Sequence, residues 1–310
     1  MFARTFAIAM NTYREAVRAR VLVGLLALAV GTSAYSLVIA TMSLRQEMRI
    51  VADIGSSSIS IFAVLVSVIL GATSLYRELE LKTIFPILTR QLRRHEYVLG
   101  KYFGILATVL CFVAIDAAAV LTILAFQSKQ NVARTTQVTA ASLVALAVAL
   151  VAAKRTRVFV VLPWSIAWFA AMAWVSGGAG DERWLVINSA CLTLAEVAIV
   201  CAIAMVFSSF SSPFLTAIFT FFLFVIGRSS DSLANIPQRM FGQAVRTAGS
   251  LLAKVIPNLN LYVPPRPLLL GQVAEISTRG YLARACLNAV LYAAILLTLS
   301  SLIFRRRDFQ

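Results

Sequence analysis

Long apolar runs alternate with short polar breaks along most of this 310-residue chain. Runs at about 21–43, 56–76, 103–126, 137–153, 158–176, 184–207, 213–228 and 285–304 approach the ~20 apolar residues a helix needs to cross the hydrocarbon of a bilayer. The pattern predicts an all-α, multi-pass membrane protein: one transmembrane domain over 1–310 with eight transmembrane helices. The seventh run opens on Ser212 and Pro213, a capping residue followed by one suited to a first helical turn. Six spans is the alternative, reached if the hairpin 137–176 does not cross.

The polar breaks have periodicities of their own. In MFARTFAIAMNTYREAVRAR, residues 1–20, Phe2, Phe6, Met10, Tyr13 and Val17 recur at helical spacing, with Arg4, Asn11, Arg14 and Arg18 on the other side. The segment lacks a compact apolar core followed by a cleavage site. It is expected to be an interfacial amphipathic helix with its arginines at the headgroups. In 229–284, the longest break, Met240, Phe241, Ala244, Val245, Ala248, Leu251, Leu252 and Val255 share one helical face. Arg239, Gln243, Arg246 and Lys254 lie on the other, and Pro237 stands where a helix would start. The prolines of PNLNLYVPPRPLLLG then forbid a continuous helix. Segment 229–284 is expected to form an external amphipathic cap before the last span, with an ordinary surface helix as the alternative.

Composition removes the soluble alternative. The chain is 60% hydrophobic and only 13% charged, with a mean hydropathy of +0.86, whereas a soluble globule is about a quarter charged. The net charge of +15 fits anionic headgroups; no basic stretch is interleaved with aromatics as a nucleic-acid platform requires. Membrane lipid is therefore an expected partner and nucleic acid is not. With the N-terminus inside, the inner breaks hold sixteen of the 28 Lys and Arg residues and the outer breaks eleven. That bias predicts a plasma-membrane protein, in a bacterium the inner membrane, with both termini cytoplasmic. Removing the 137–176 hairpin would move AAKRTR outside and weaken it.

Candidate chemistry is sparse. Cys111, Cys191, Cys201 and Cys286 all fall in apolar runs without CxxC spacing, which predicts packing rather than a disulfide or zinc framework. His95 is the single histidine, leaving little for metal or triad chemistry. The single GK dipeptide, Gly100-Lys101, does not belong to a GxxxxGK[ST], so the chain has no phosphate cradle for ATP.

The break 77–102 is the most heavily charged. Glu78 and Lys82 stand four apart with the acid first, which supports a helix. Leu81, Ile84, Phe85 and Leu88 form an apolar face, and Pro86 ends the rod. An apolar tip ringed by charge suits docking to a soluble partner. A loop held on headgroups by Arg90, Arg93 and Arg94 fits the same residues equally well. Gly100 and Gly104 make a GxxxG, a motif for close helix packing.

RELELKTIFPILTRQLRRHEYVLGKYFG resembles the segment after the second span of ABC-2 type transporter permeases: a Glu-rich turn, a Thr/Pro-Arg break and a Gly-Lys entering the third span. The resemblance extends to NTYREAVRARVLVGLL, to AEVAIVCAIAMVFSSFSSPFLTAIFTFFLFVIG and to the closing LIFRRRDF. It covers most of the chain outside 127–183. The hairpin 137–176 departs from the family, which usually has six spans. The resemblance implies a permease subunit, an exporter that pairs with a second permease copy, commonly as a homodimer, and with two ABC ATPase subunits. ATP and Mg would be bound by those partners, leaving this chain without a cofactor and not itself an enzyme. It also implies that Glu78, Glu80, Leu81, Lys82, Thr83, Ile84 and Phe85 make the ATPase-coupling contact, with the N-terminal helix contributing.

Asp116 and Glu196 lie in mid-run, where a charge costs roughly 2.5–3.5 kcal/mol, so each is expected to face protein or water. They are candidates for a substrate path; a neutral acid joining helices is the plainer reading of Asp116. Two other functions compete: an ion- or proton-coupled secondary carrier using Asp116 and Glu196, and an intramembrane enzyme. Matching broken repeats for the first, or paired catalytic groups for the second, are absent from the sequence.

Overall fold

The computed structural model describes residues 2–43, 46–80, 94–153, 156–234, 247, 249, 256–273 and 277–306. Among these residues every regular element is helical. The principal helices are α1 (Phe2–Val17), α2 (Arg20–Thr41), α3 (Glu47–Glu80), α4 (Arg94–Gln127), α5 (Val132–Ala152), α6 (Arg157–Val175), α7 (Asp181–Ser208), α8 (Pro213–Arg228) and α9 (Thr278–Arg306). Short helical turns occupy Ser230–Ala234, Leu259–Tyr262 and Arg266–Leu269. Seven helices, α2 to α7 and α9, are long and apolar enough to cross a bilayer, and the protein is a multi-pass helical membrane protein. α8 has sixteen residues and is shorter.

Side-chain contacts gather several helix ends at one end of the bundle. The Tyr13 hydroxyl of α1 donates to the Val158 carbonyl at the start of α6, over 3.2 Å. Near the start of α4, Tyr97 stacks on Phe304 near the end of α9, with ring centroids 6.1 Å apart. Lys101 of α4 is buried and donates to the Ser74 carbonyl of α3 at 2.9 Å. The helix ends flanking 81–93 therefore share this loop end with α1, the start of α6 and the end of α9. Asp53, Glu182 and Thr278 lie toward the opposite end.

α3, α4 and α7 form the centre and carry most of the buried side chains. α3 and α7 approach closely because small residues face each other: a Cβ on Gly71 would stand 2.5 Å from the Ala204 Cβ. Over 137–176, α5 and α6 are tied by the Trp164 indole, which donates to the Ser142 carbonyl at 2.8 Å. α6 packs on α4, while α5 turns Leu143, Val144, Val148 and Val151 outward, the exposed apolar surface a lipid-facing helix needs.

Several sequence expectations are revised. The second and third runs, expected at 56–76 and 103–126, belong to helices of 34 residues each, because the polar residues flanking them continue the helical path. At ~1.5 Å per residue, each is about 50 Å long, well beyond the ~30 Å hydrocarbon layer. Of the expected stripe Tyr13 is buried, together with Thr12 and Ala16, whereas Phe6 is 65% exposed. α1 lies close because it docks on the GxxxG of α4, where the glycines leave room for it. A Cβ on Gly100 would lie 2.7 Å from the Ile8 Cβ, and one on Gly104 would lie 2.5 Å from the Ala9 carbonyl oxygen. Cys111 and Cys201 are buried as expected, but Cys191 and Cys286 are exposed. Ser212 precedes α8 in an extended conformation, and its side chain makes no capping bond.

Candidate functional site

Among the described residues, two of the concavities are large enough for a small molecule. The larger, about 620 Å³, is an apolar groove between α4 and α9 lined by residues such as Phe103, Leu106 and Val290. Its wall is mainly apolar, with His95, Tyr102, Thr298 and Ser301 as its polar lining residues. The smaller, about 380 Å³, lies between α3, α7, α8 and the segment 256–273, and is lined by hydroxyls and charges.

The floor of this polar cavity follows from the shortness of α8. Sixteen residues span about 24 Å, less than the hydrocarbon thickness of ~30 Å. The terminal Arg228 therefore lies at a depth where a lone charge is costly, and it is met by Glu196 near the middle of α7. Arg228 Nη1 donates to Glu196 Oε1, and Nη2 lies 3.5 Å from Ser60 Oγ of α3. The Ser60 hydroxyl is 3.4 Å from Glu196 Oε2. Glu196 has no exposed surface, whereas the Arg228 side chain is 28% exposed and lines the cavity. The carboxylate thus sits behind the guanidinium.

The walls carry hydroxyls at the spacings helices require. Ser56, Ser57 and Ser60 come from α3, Ser189 and Thr193 from α7. The fourth side is the segment 256–273, held by a set of specific hydrogen bonds. Asn188 of α7 donates to the Leu269 carbonyl at 2.8 Å, the Tyr262 hydroxyl to Ala285 at 3.3 Å, and the Tyr281 hydroxyl to Leu261 at 2.6 Å. Asn258 and Asn260 donate to Asp231 at 2.8 and 2.6 Å. Burial pushes the Tyr262 hydroxyl above its usual range, so it stays a neutral donor. Gly227 permits the close approach: a Cβ there would lie 2.9 Å from the Pro257 carbonyl oxygen.

Arg266 closes the mouth. Its guanidinium pairs with Asp53 of α3 through Nη1 and with Glu182 of α7 through Nη2. Arg49 stands 3.8 Å from the other Asp53 oxygen. One side chain of the capping segment therefore bridges the two helices that form the cavity's long walls.

Of the candidates read from the sequence, Glu196 lies at this site and Asp116 does not. Asp116 is fully buried in α4 and faces the Ser33 hydroxyl of α2. No hydrogen bond of normal geometry joins them, and neither carboxylate oxygen has a hydrogen-bond partner among the described residues. Glu78 and Glu80 belong to the last turn of α3, while Leu81, Lys82, Thr83, Ile84 and Phe85 lie outside the described residues. So does most of the proposed amphipathic stretch 237–255.

Sequence reading missed Arg228, Ser60, Asp53, Glu182 and Arg266. A signal existed for the first two: Arg228 ends the shortest of the eight apolar runs, and GSSSIS places serines on successive turns of an otherwise apolar helix. The Arg266 bridge joins residues 213 and 84 positions apart and had no local signal. No protein-family model matches the chain, and no curated protein matches it.

Proposed function

We propose that this chain is the transmembrane permease subunit of an ABC transporter, an exporter driven by two separate ATPase subunits. It works as a homodimer in the plasma membrane, with eight spans and both termini in the cytoplasm. The ABC-2 resemblance of the segments around residues 11–26, 77–104, 195–227 and 302–309 motivates the reading.

The observation that carries it is the continuity of α3. One unbroken helix runs from Asp53 and Ser60 at the cavity to Glu78 and Glu80 beside the charged loop. From Ser60 to Glu80 is about 30 Å at ~1.5 Å per residue. A rigid element joining a docking loop to a polar cavity is what an externally driven permease needs: displacement of the loop moves the cavity wall. The Lys101 bond to Ser74 makes α4 move with it. α8 starts beside the loop end of α7, and segment 256–273 walls the cavity beyond Arg228, which supports counting α8 as a crossing. The secondary-carrier reading asks Asp116 and Glu196 to share one path, and Asp116 does not line this cavity.

The test is whether an ABC ATPase co-purifies with this chain from its native membranes, followed by ATPase measurements in lipid. A stable complex whose hydrolysis rate depends on the permease supports the reading. Absence of any ATPase from a folded, purified permease overturns it.

A further inference from the structure

We propose that an anionic phospholipid binds where α5, α6 and α7 meet, at the end of the bundle opposite the charged loop, with Arg134 and Arg183 holding its headgroup. The permease reading, with both termini cytoplasmic, enters only in placing this site in the outer leaflet.

Two guanidiniums flank the last turn of α6. Arg134, in the first turn of α5, has its guanidinium carbon 4.1 Å from the centroid of the Trp174 ring. From the first turn of α7, Arg183 donates through Nη1 to the carbonyl of Ala173, the residue before Trp174, over 3.4 Å. The same guanidinium stands 4.8 Å from the centroid of Trp184. The turn at Ser128 and Gln130 packs beside them against Gly178 and carries the exposed Lys129. Unlike the arginines of the polar cavity, Arg134 and Arg183 have no carboxylate partner among the described residues. Glu182 is held by Arg266, and Asp181, exposed in the same turn as Arg183, pairs with neither arginine. Lys129, Arg134 and Arg183 against Asp181 leave this corner positive. A carbonyl and two indole faces attract these cations without cancelling their charge. Arg183 Nε has no hydrogen-bond partner among the described residues.

The surroundings select a lipid over a soluble anion. Trp174 is 69% exposed and Trp184 50%, and exposed indoles at the end of a membrane helix lie at headgroup level. Along α5, Arg134, Ala141 and Val148 follow at seven-residue spacing, so all three share one exposed side of the helix. Leu143, Val144 and Val151 widen that side into an apolar surface. A phosphodiester held by Arg134 and Arg183 therefore has its glycerol beside the indoles and its acyl chains along α5. The guanidinium fork matches two phosphate oxygens. A zwitterionic headgroup brings a cation of its own into the same positive corner, whereas an anionic one does not.

The experiment reconstitutes the full chain in dioleoyl phosphatidylcholine bilayers titrated with dibrominated phosphatidylglycerol or, in parallel, with dibrominated phosphatidylcholine. Bromine quenches tryptophan on contact, and two of the four tryptophans, Trp174 and Trp184, belong to the site. A single cation beside an anionic headgroup supports about a fivefold preference, so phosphatidylglycerol should win by about fivefold or more, and by less at high salt. Arg134→Gln with Arg183→Gln should bring the preference close to one, while Arg134→Lys with Arg183→Lys should keep most of it. Arg14→Gln with Arg18→Gln removes the same charge at the opposite end of the bundle and should leave the preference as it was. Should the double glutamine variant fail to reconstitute, Arg134→Gln alone, at an exposed position, should at least halve it. Equal quenching by the two brominated lipids overturns the proposal. So does a parental preference in the glutamine variants, or an equal loss in Arg14→Gln with Arg18→Gln. No ATPase is present and both leaflets carry the lipid, so failure removes this site and leaves the permease reading to its own test.

Discussion

Arg228, the last residue of α8, donates to Glu196 in the middle of α7, and the glutamate has no exposed surface. Removing the arginine alone would leave a buried carboxylate uncompensated. Arg228→Met should therefore destabilise the protein by about 3–5 kcal/mol, while the double replacement with Glu196→Met should recover much of the loss. Thermal unfolding of the two single variants and the double variant measures this; additive losses would mean that the two charges are not coupled.

Glu196→Gln separates charge from packing. Glutamine still accepts from Arg228 but carries no charge, so assembly should persist while transport changes. The measurement is transport in proteoliposomes across a range of pH. A profile identical to the parent would reduce Glu196 to a packing residue.

Gly104 seats the N-terminal helix. A side chain there would meet the Ala9 carbonyl and the Thr12 side chain, at 2.5 and 2.6 Å from its Cβ. Gly104→Leu should displace α1 at a cost of about 1–3 kcal/mol. Faster tryptic cleavage at the exposed Arg14 and Arg18 would reveal the displacement, and an unaltered digestion pattern would contradict the docking described here.

The charged loop should dock an ATPase through Leu81, Ile84 and Phe85. Burying one such side chain contributes roughly 1.5–3 kcal/mol, so Phe85→Ala should weaken docking by about tenfold to a hundredfold. Membrane insertion should be unaffected. Charge reversal at Glu78 and Glu80 should act in the same direction, with an effect that depends on salt. Normal ATPase stoichiometry in Phe85→Ala would return the loop to the headgroup surface.

Sidedness follows from the charge bias. In a background without native cysteines, Arg155→Cys should be protected from impermeant maleimide in intact cells and react once the membrane is opened. Labelling from outside would exclude the eight-span arrangement.

The helical architecture was legible because hydropathy and length act locally: runs of apolar residues predict the membrane helices wherever the bilayer is the solvent. The GxxxG predicted a close contact but not its partner, since α1 brings Ile8, Ala9 and Thr12 to Gly100 and Gly104 from some ninety positions earlier in the chain. Helix lengths were underestimated for α3 and α4, where charged residues beyond the hydrocarbon prolong the helix that an apolar window cuts off. Glu196 was readable as an anomaly in an apolar run. Its partner was not, because pairing depends on how deeply α8 ends, which is a property of the folded bundle. Asp116 looked equivalent in sequence, yet its helix turns it toward Ser33 and away from the cavity.

Because α8 stops at Arg228 and the space beyond it is a cavity, the low-dielectric layer over Glu196 is thinner than the surrounding bilayer. A membrane voltage falls mainly across low dielectric, so the field is concentrated between the cavity floor and the loop end. Each elementary charge carried through that layer exchanges ~2.3 kcal/mol with the membrane per 100 mV. Under the proposed transport, once the Arg266 bridge opens, a charged solute would meet most of the voltage in the step past Arg228.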